Sequence, residues 1–235
     1  MPGRRKKIWI TRAQPAADVT AERVRALGHD ALVAPLLEVR ALENVDIDLT
    51  GVAAIAFTSA NGVRAFAERS GDRALKVFAV GAATAQAARQ AGFRSVLSSE
   101  GDVAALARGI AARKGELKGA VLHAGAAELA GDLSGELAGA GIEARRLILY
   151  ETRPVALSEA QLKTVLRADA VLLHSPRAAR VLAAVLRKHP PAPTLRALGL
   201  SPAVLKPLAR IKLPAKAHPP FPLEAALLQL IDKPA

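Results

Sequence analysis

The stretch IAFTSANGVRAFAER (55–69) decides the reading of the fold, together with its echo VLLHSPRAARVLAAVLR (171–187). Each runs from an apolar segment through a Ser into a helix-like pattern. Apolar runs of this length with no polar alternation suit strands buried on both faces, and strands of that kind belong to parallel sheets covered by helices. Outward from the two stretches the same alternation continues. IWIT precedes PAADVTAERVRALG, KVFAV precedes AATAQAARQAG, SVLS precedes DVAALARGIAAR and AVLHA precedes AAELAGDLSGELAGAG. This is the pattern of βα units, so an α/β fold of parallel sheets is expected. Asp102 and Ser158 sit where side-chain oxygens can cap helix N-termini.

The echo is not confined to one unit. Gly28 pairs with Gly141, Arg40 with Arg153, Ser59 with Ser175 and Gly81 with Gly199, in fixed order and at a slowly growing separation. Duplication with small insertions leaves such a trace, and two similar α/β halves are expected. In open parallel sheets, ligands sit beyond the carboxyl ends of the strands. The segments PLLEVRAL and ARRLILYETRP read as extended connections between the halves.

Composition narrows the function classes. The 235 residues are 51% hydrophobic but only 3% aromatic, which favours Ala-, Leu- and Val-rich helices on parallel strands over an aromatic β-sandwich. With no Cys, disulfides, thiolate catalysis and iron–sulfur clusters are excluded. The basic start is followed by an apolar run too short for a signal peptide, and no stretch reaches a membrane span, so a cytoplasmic protein is expected. A net charge of +12 attracts anions in general. Part of it, Arg4 to Lys7, reads as a solvated terminal tail. No aromatic residues interleave with the basic ones, which disfavours nucleic acid as partner.

Three features carry candidate chemistry. Hydroxyls and amides directly after buried strands face the positive ends of helices, where carboxylates bind well. Thr58, Ser59 and Asn61 form one such turn, Gly81, Ala83 and Thr84 a second, Ser175 to Arg177 a third, and Thr11 and Arg12 end the first strand; helix capping alone is the other reading of each. His123 and His174 end apolar runs, as substrate contacts or polar surface, while the five His show no metal-ligand spacing. Tyr150, the single Tyr, is a hydrogen-bond donor at neutral pH and either a general acid or a packing residue. P-loop, dinucleotide and nucleophile-elbow signatures are missing.

IWITRAQ, GHDALVAPLLEV, AFTSANGVRAF, FAVGAATAQAARQAGF, VLHAGA, RRLILYETRP and VLLHSPRAARVL together resemble the uroporphyrinogen-III synthase family over nearly the whole chain. The resemblance implies two flavodoxin-like domains joined by a two-stranded connection. One domain combines residues 1–36 with 153–235, the other spans 39–148, and the connections lie near 35–40 and 146–154. It further implies a monomeric lyase without cofactor or metal, using neither membrane nor nucleic acid. Its substrate is a linear tetrapyrrole polycarboxylate, received in transient contact with the preceding pathway enzyme. The reaction closes hydroxymethylbilane with inversion of the terminal ring and loss of water.

On this resemblance Tyr150 is the donor to the departing hydroxyl, and Ser59 and Ser175 face one cleft from opposite domains. Gly125 lies at the end of the VLHAGA strand among the substrate contacts. Where family members show Gly-x-x-Thr, this chain has Gly199-Leu200-Ser201-Pro202; Ser201 can substitute only in part, because Pro202 has neither hydroxyl nor amide proton. The rival reading is a non-catalytic two-lobed binding protein for an anionic metabolite.

Overall fold

The computed structural model describes residues 4–129 and 131–233. Strand β1 (Lys7–Ile10) leads through helix α1 (Ala16–Ala26) to β2 (Asp30–Val33) and β3 (Leu37–Ala41). Next come β4 (Val52–Phe57), α2 (Ala60–Ala67), β5 (Lys76–Val80), α3 (Gly81–Gln90), β6 (Val96–Ser99), α4 (Val103–Ala111), β7 (Ala120–Ala126), α5 (Leu133–Gly139) and the long β8 (Ala144–Pro154). The chain closes with α6 (Glu159–Val165), β9 (Ala170–Leu173), α7 (Pro176–Lys188), β10 (Arg196–Gly199), α8 (Pro202–Leu205), β11 (Lys216–Ala217) and α9 (Glu224–Leu228).

The chain divides into two units, residues up to Glu38 with those from Arg153 onward, and Val39–Thr152. Strands β3 and β8, which are hydrogen-bonded neighbours, carry the chain across this division. Leu42 N donates to Leu149 O at 2.9 Å and Val155 N to Leu36 O at 3.0 Å, a pattern of strands running in opposite directions.

In the first unit the sheet order is β2-β1-β9-β10-β11, and every pair is parallel. This is the flavodoxin order, whose direction of winding reverses between β1 and β9. Successive residues of β1 serve opposite faces. Ile8 and Ile10 meet Ala17, Ala21 and Val24 of α1 and Leu227 and Leu228 of α9, whereas Trp9 meets Ala179, Leu182 and Ala183 of α7. The Trp9 Nε1 donates to Ala34 O at 2.8 Å, so the buried indole leaves no donor unpaired.

In the second unit the order is β3-β8-β7-β4-β5-β6. Here winding reverses between β4 and β7, the equivalent point in the other doubly wound order. One face packs on α2 and α3, where Phe57, Phe66 and Phe93 cluster with centroids 5.8 to 6.1 Å apart, Phe57 edge-on to the other two. The other face packs Ala54, Ala56, Phe78 and Val121 against α4 and α5.

Of the basic run read as a tail, Arg4 and Arg5 are solvated, their side chains 86% and 72% exposed, whereas Lys6 and Lys7 are tied into the first unit. Arg5 Nε donates to Asp30 at 2.8 Å, Lys6 Nζ to Ile231 O at 2.6 Å, and Lys7 opens β1 with its amide on Asp169 at 2.7 Å. Partners far off in sequence hold Lys6 and Lys7, which local reading could not see.

Candidate active site

In the second unit, the winding reversal lies beside the end of β4. Thr58 and Ser59 turn the chain out of the strand, and Ser59 Oγ caps α2 by accepting the Gly62 amide at 3.1 Å. Gly62 lets that helix end press on β7, since a Cβ there would come within 2.9 Å of Ala124 O. The close approach brings Ser59 to β8, where Tyr150 Oη lies 2.7 Å from Ser59 Oγ. Burial raises the Tyr150 pKa, against the lowering influence of the Ser59 hydrogen bond and the Arg64 charge. The phenol therefore carries its proton at neutral pH.

Thr58, Ser59 and Tyr150 line a cavity of about 490 Å3, with Val80 and Ala126 beside them. Asp102, Glu128, Asp132 and Glu136 also line it, and among the described residues no basic side chain does. Asp102 and Asp132 cap α4 and α5 through the Ala105 and Gly135 amides.

His123 Nε2 lies 3.4 Å from Thr58 Oγ1, and its Nδ1 is buried without a partner. Burial first, and then the Arg146 charge, lowers its pKa. Gly125 stands next to this pair, with space over its Cα bounded by His123 Nε2 and Thr58 Oγ1. Asn61 is engaged elsewhere, its Oδ1 accepting from Arg64 at 2.8 Å. Gly81 opens α3 at φ +73°, a conformation that favours Gly, with Ala83 exposed and Thr84 buried in the same turn.

The first unit gathers its residues at the ends of β1, β9 and β10. Thr11 is fully buried and donates to Leu172 O at 2.7 Å, so its hydroxyl is occupied by the fold. Ser175 Oγ caps α7 on the Ala178 amide at 3.2 Å. Gly199 admits the Leu205 side chain, which a Cβ would meet at 2.6 Å, and Ser201 precedes the Pro202 that opens α8 without a side-chain cap bond.

Arg12 meets a residue that sequence reading did not single out. Its Nη1 donates to Glu224 Oε1 at 2.7 Å, Thr20 Oγ1 donates to the same oxygen at 2.6 Å, and His174 Nε2 approaches it at 3.2 Å. Arg23 pairs with Oε2. Burial opposes ionisation of Glu224, but hydrogen bonds from His174 and Thr20 with the Arg12 charge prevail and pull its pKa to about 2. For His174, burial is the largest influence and lowers its pKa despite Glu224. Its imidazole is thus neutral near pH 7, with the proton on the nitrogen facing the carboxylate. No local sequence signal joins Arg12 to an acid 212 positions away.

A family model described as uroporphyrinogen-III synthase HemD matches residues 18–229. The chain belongs to the uroporphyrinogen-III synthase family. Members of this family are cyclising lyases of tetrapyrrole and heme biosynthesis. The fold agrees with solved structures. Uroporphyrinogen-III synthetase from Helicobacter pylori superposes with a TM-score of 0.69 at 17% identity, covering 97% of this chain and 98% of that one. A mutant uroporphyrinogen III synthase from Thermus thermophilus gives 0.53 at 17% identity, covering 96% and 97%. No curated protein matches the chain. Among the described residues no side-chain group could hold a metal ion, and no helix is long and apolar enough to cross a membrane.

Proposed function

We propose that the chain closes hydroxymethylbilane to uroporphyrinogen III with inversion of the terminal ring, and that Tyr150 donates the proton on which the hydroxyl departs. The observation that carries this reading is the Tyr150–Ser59 pair at 2.7 Å on the wall of a cavity at a winding reversal. Doubly wound folds use that position for ligands. The phenol there keeps its proton, and a positioned donor of this kind contributes to breaking the C–O bond.

Loss of the hydroxyl leaves an electrophilic azafulvene. The substituted carbon of the last ring attacks it to give a spiro intermediate, which fragments and closes again through the free α carbon. The hydroxyl leaves as water with the Tyr150 proton, and the α hydrogen released in that closure restores the phenol, so the net loss is one water. Because the bilane closes unaided to the uninverted isomer, the protein's task is to select geometry, and positioning of reacting atoms can contribute roughly 7–11 kcal/mol.

Carboxylates around the cavity suit a pyrrole face, since pyrrole N–H groups are donors and the azafulvene gathers positive charge. Backbone contacts at Gly81, Ala83 and Gly125, and hydroxyl contacts at Thr58 and Ser201, complete the proposed set, with the enzyme a cytoplasmic monomer. Supplying hydroxymethylbilane, oxidising the products and separating the isomers tests the reading. An excess of type III over type I is expected; type I alone would refute it.

A further inference from the structure

The substrate of the reaction proposed above carries a carboxylate pair on every ring, yet among the described residues the cavity beside Tyr150 has no basic lining residue. The cations converge instead in the first unit. There the winding reversal lies between β1 and β9, and the crevice beyond the carboxyl ends of those two strands is the expected ligand position. Arg12 follows β1 and His174 follows β9, so both stand at that crevice. It is already filled by the chain's own Glu224.

We propose that the crevice formed by Arg12, Thr20, Arg23 and His174 is a carboxylate-binding site, in which Glu224 is a resident stand-in that a substrate carboxylate replaces. The inference rests on the reaction proposed above. Its chemistry follows from the donor set. Oε1 of Glu224 takes an N–H from Arg12, an O–H from Thr20 and the N–H of His174, while Arg23 engages Oε2. Two guanidiniums, a hydroxyl and a neutral imidazole present donors alone to whatever sits there, which selects an anion with two acceptor oxygens.

The occupant is placed so that it can leave. Helix α9 is held without its carboxylate, because Leu227 and Leu228 are packed in the core and Lys6 and Arg196 bind the Ile231 carbonyl just beyond it. Glu224 is the first residue of that helix, and the segment before it has neither helix nor strand. Phe221 and Leu223, in that segment, are 69% and 63% exposed. Rotation about the Glu224 side chain therefore moves the carboxylate without unpacking apolar surface. The unpacked Phe221 is also a flat apolar partner suited to a pyrrole ring. Glu224 is the single carboxylate that pairs with Arg12 or Arg23 among the described residues, so its departure calls for an incoming anion.

Steady-state kinetics with hydroxymethylbilane on wild type, Glu224→Ala and Glu224→Gln test the exchange. Removing an intramolecular competitor should lower KM on the order of 100-fold, because the contact that a substrate carboxylate must displace is worth that much to the folded chain. Arg12→Gln should raise KM with kcat little changed. A KM that stays level or rises in the Glu224 variants, while type III product is still formed, overturns the exchange and leaves Glu224 a structural staple. A wild type that yields type I alone refutes the reaction instead, so the two failures read differently. Should the variants not fold, a crystal structure of the wild type with uroporphyrinogen III decides. A product carboxylate on Arg12 with Glu224 turned away is expected, and Glu224 still seated on Arg12 overturns the proposal.

Discussion

Replacing Tyr150 with Phe removes one oxygen and little else. The ring is 5% exposed and keeps its packing, and Ser59 Oγ keeps the Gly62 amide, so no buried polar group is stranded. The stability cost is then that of a single net hydrogen bond, about 1 kcal/mol. Any larger effect on turnover belongs to the chemistry. General acids contribute typically about 100- to 10,000-fold, but the departing hydroxyl here leaves a stabilised azafulvene that forms without enzyme. The lower part of that range or less is expected, a fall in kcat of about 10- to 100-fold.

Type III should remain the main product of Tyr150→Phe, because inversion depends on how the bilane is held. The alkaline limb of kcat adds a signature. With the phenol raised above its ordinary 10.0, the wild type should lose turnover only above that pH, and Tyr150→Phe should lack the limb altogether. The same raised pKa means that folding stability tied to the neutral phenol is present below pH 10 and declines as pH climbs through the folded value. Stopped assays with isomer separation across pH 7 to 11, alongside urea unfolding of both proteins, check each part. Full kcat in Tyr150→Phe, or an alkaline limb that survives the substitution, would refute the acid role.

Acid should reveal Glu224. Its carboxyl is lowered from 4.5 to about 2, so the stability it supplies is complete above pH 4.5 and lost as pH falls through the folded value; at 1.36 kcal/mol per unit it amounts to about 3 kcal/mol. Urea unfolding should show Glu224→Gln less stable by about that much at pH 7 and much closer to wild type at pH 2. In the free variant the cations are left uncompensated, and binding of a substrate carboxylate recovers the loss. Gly62→Ala should cost about 1–3 kcal/mol and slow turnover, since its Cβ meets the Ala124 carbonyl and pushes Ser59 away from Tyr150; equal melting and equal kcat would remove that account. Phe66→Ala, which removes one of three mutually contacting rings, should cost about 3–5 kcal/mol by denaturant titration.

What could be read from the chain depended on the distance over which each feature acts. Ser59, Asp102, Ser158 and Ser175 cap helices through an amide three residues on, so their roles are written locally. Apolar runs between helical patterns likewise announce buried parallel strands, because burial on both faces removes polar alternation from the strand itself. The Ser59–Tyr150 pair spans 91 positions and depends on β8 lying in the same sheet as β4, with β7 between them. Position alone left Tyr150 open between packing and catalysis; the resemblance pointed to it, and the Ser59 contact appeared only in the fold. Glu224 was invisible for a related reason. A carboxylate opening a helix is ordinary, and its meaning comes from Arg12, Thr20, Arg23 and His174 converging on it from other parts of the chain. In the basic run, Lys6 and Lys7 mislead because their partners Asp232 and Asp169 lie elsewhere in the chain.

The central claim is that this chain turns over the terminal ring before the macrocycle closes. It is tested most directly by incubating purified protein with freshly made hydroxymethylbilane and measuring the ratio of type III to type I after oxidation. A ratio strongly favouring type III, and rising with enzyme concentration, is the expected result. A ratio indistinguishable from that of the buffer blank would contradict the account.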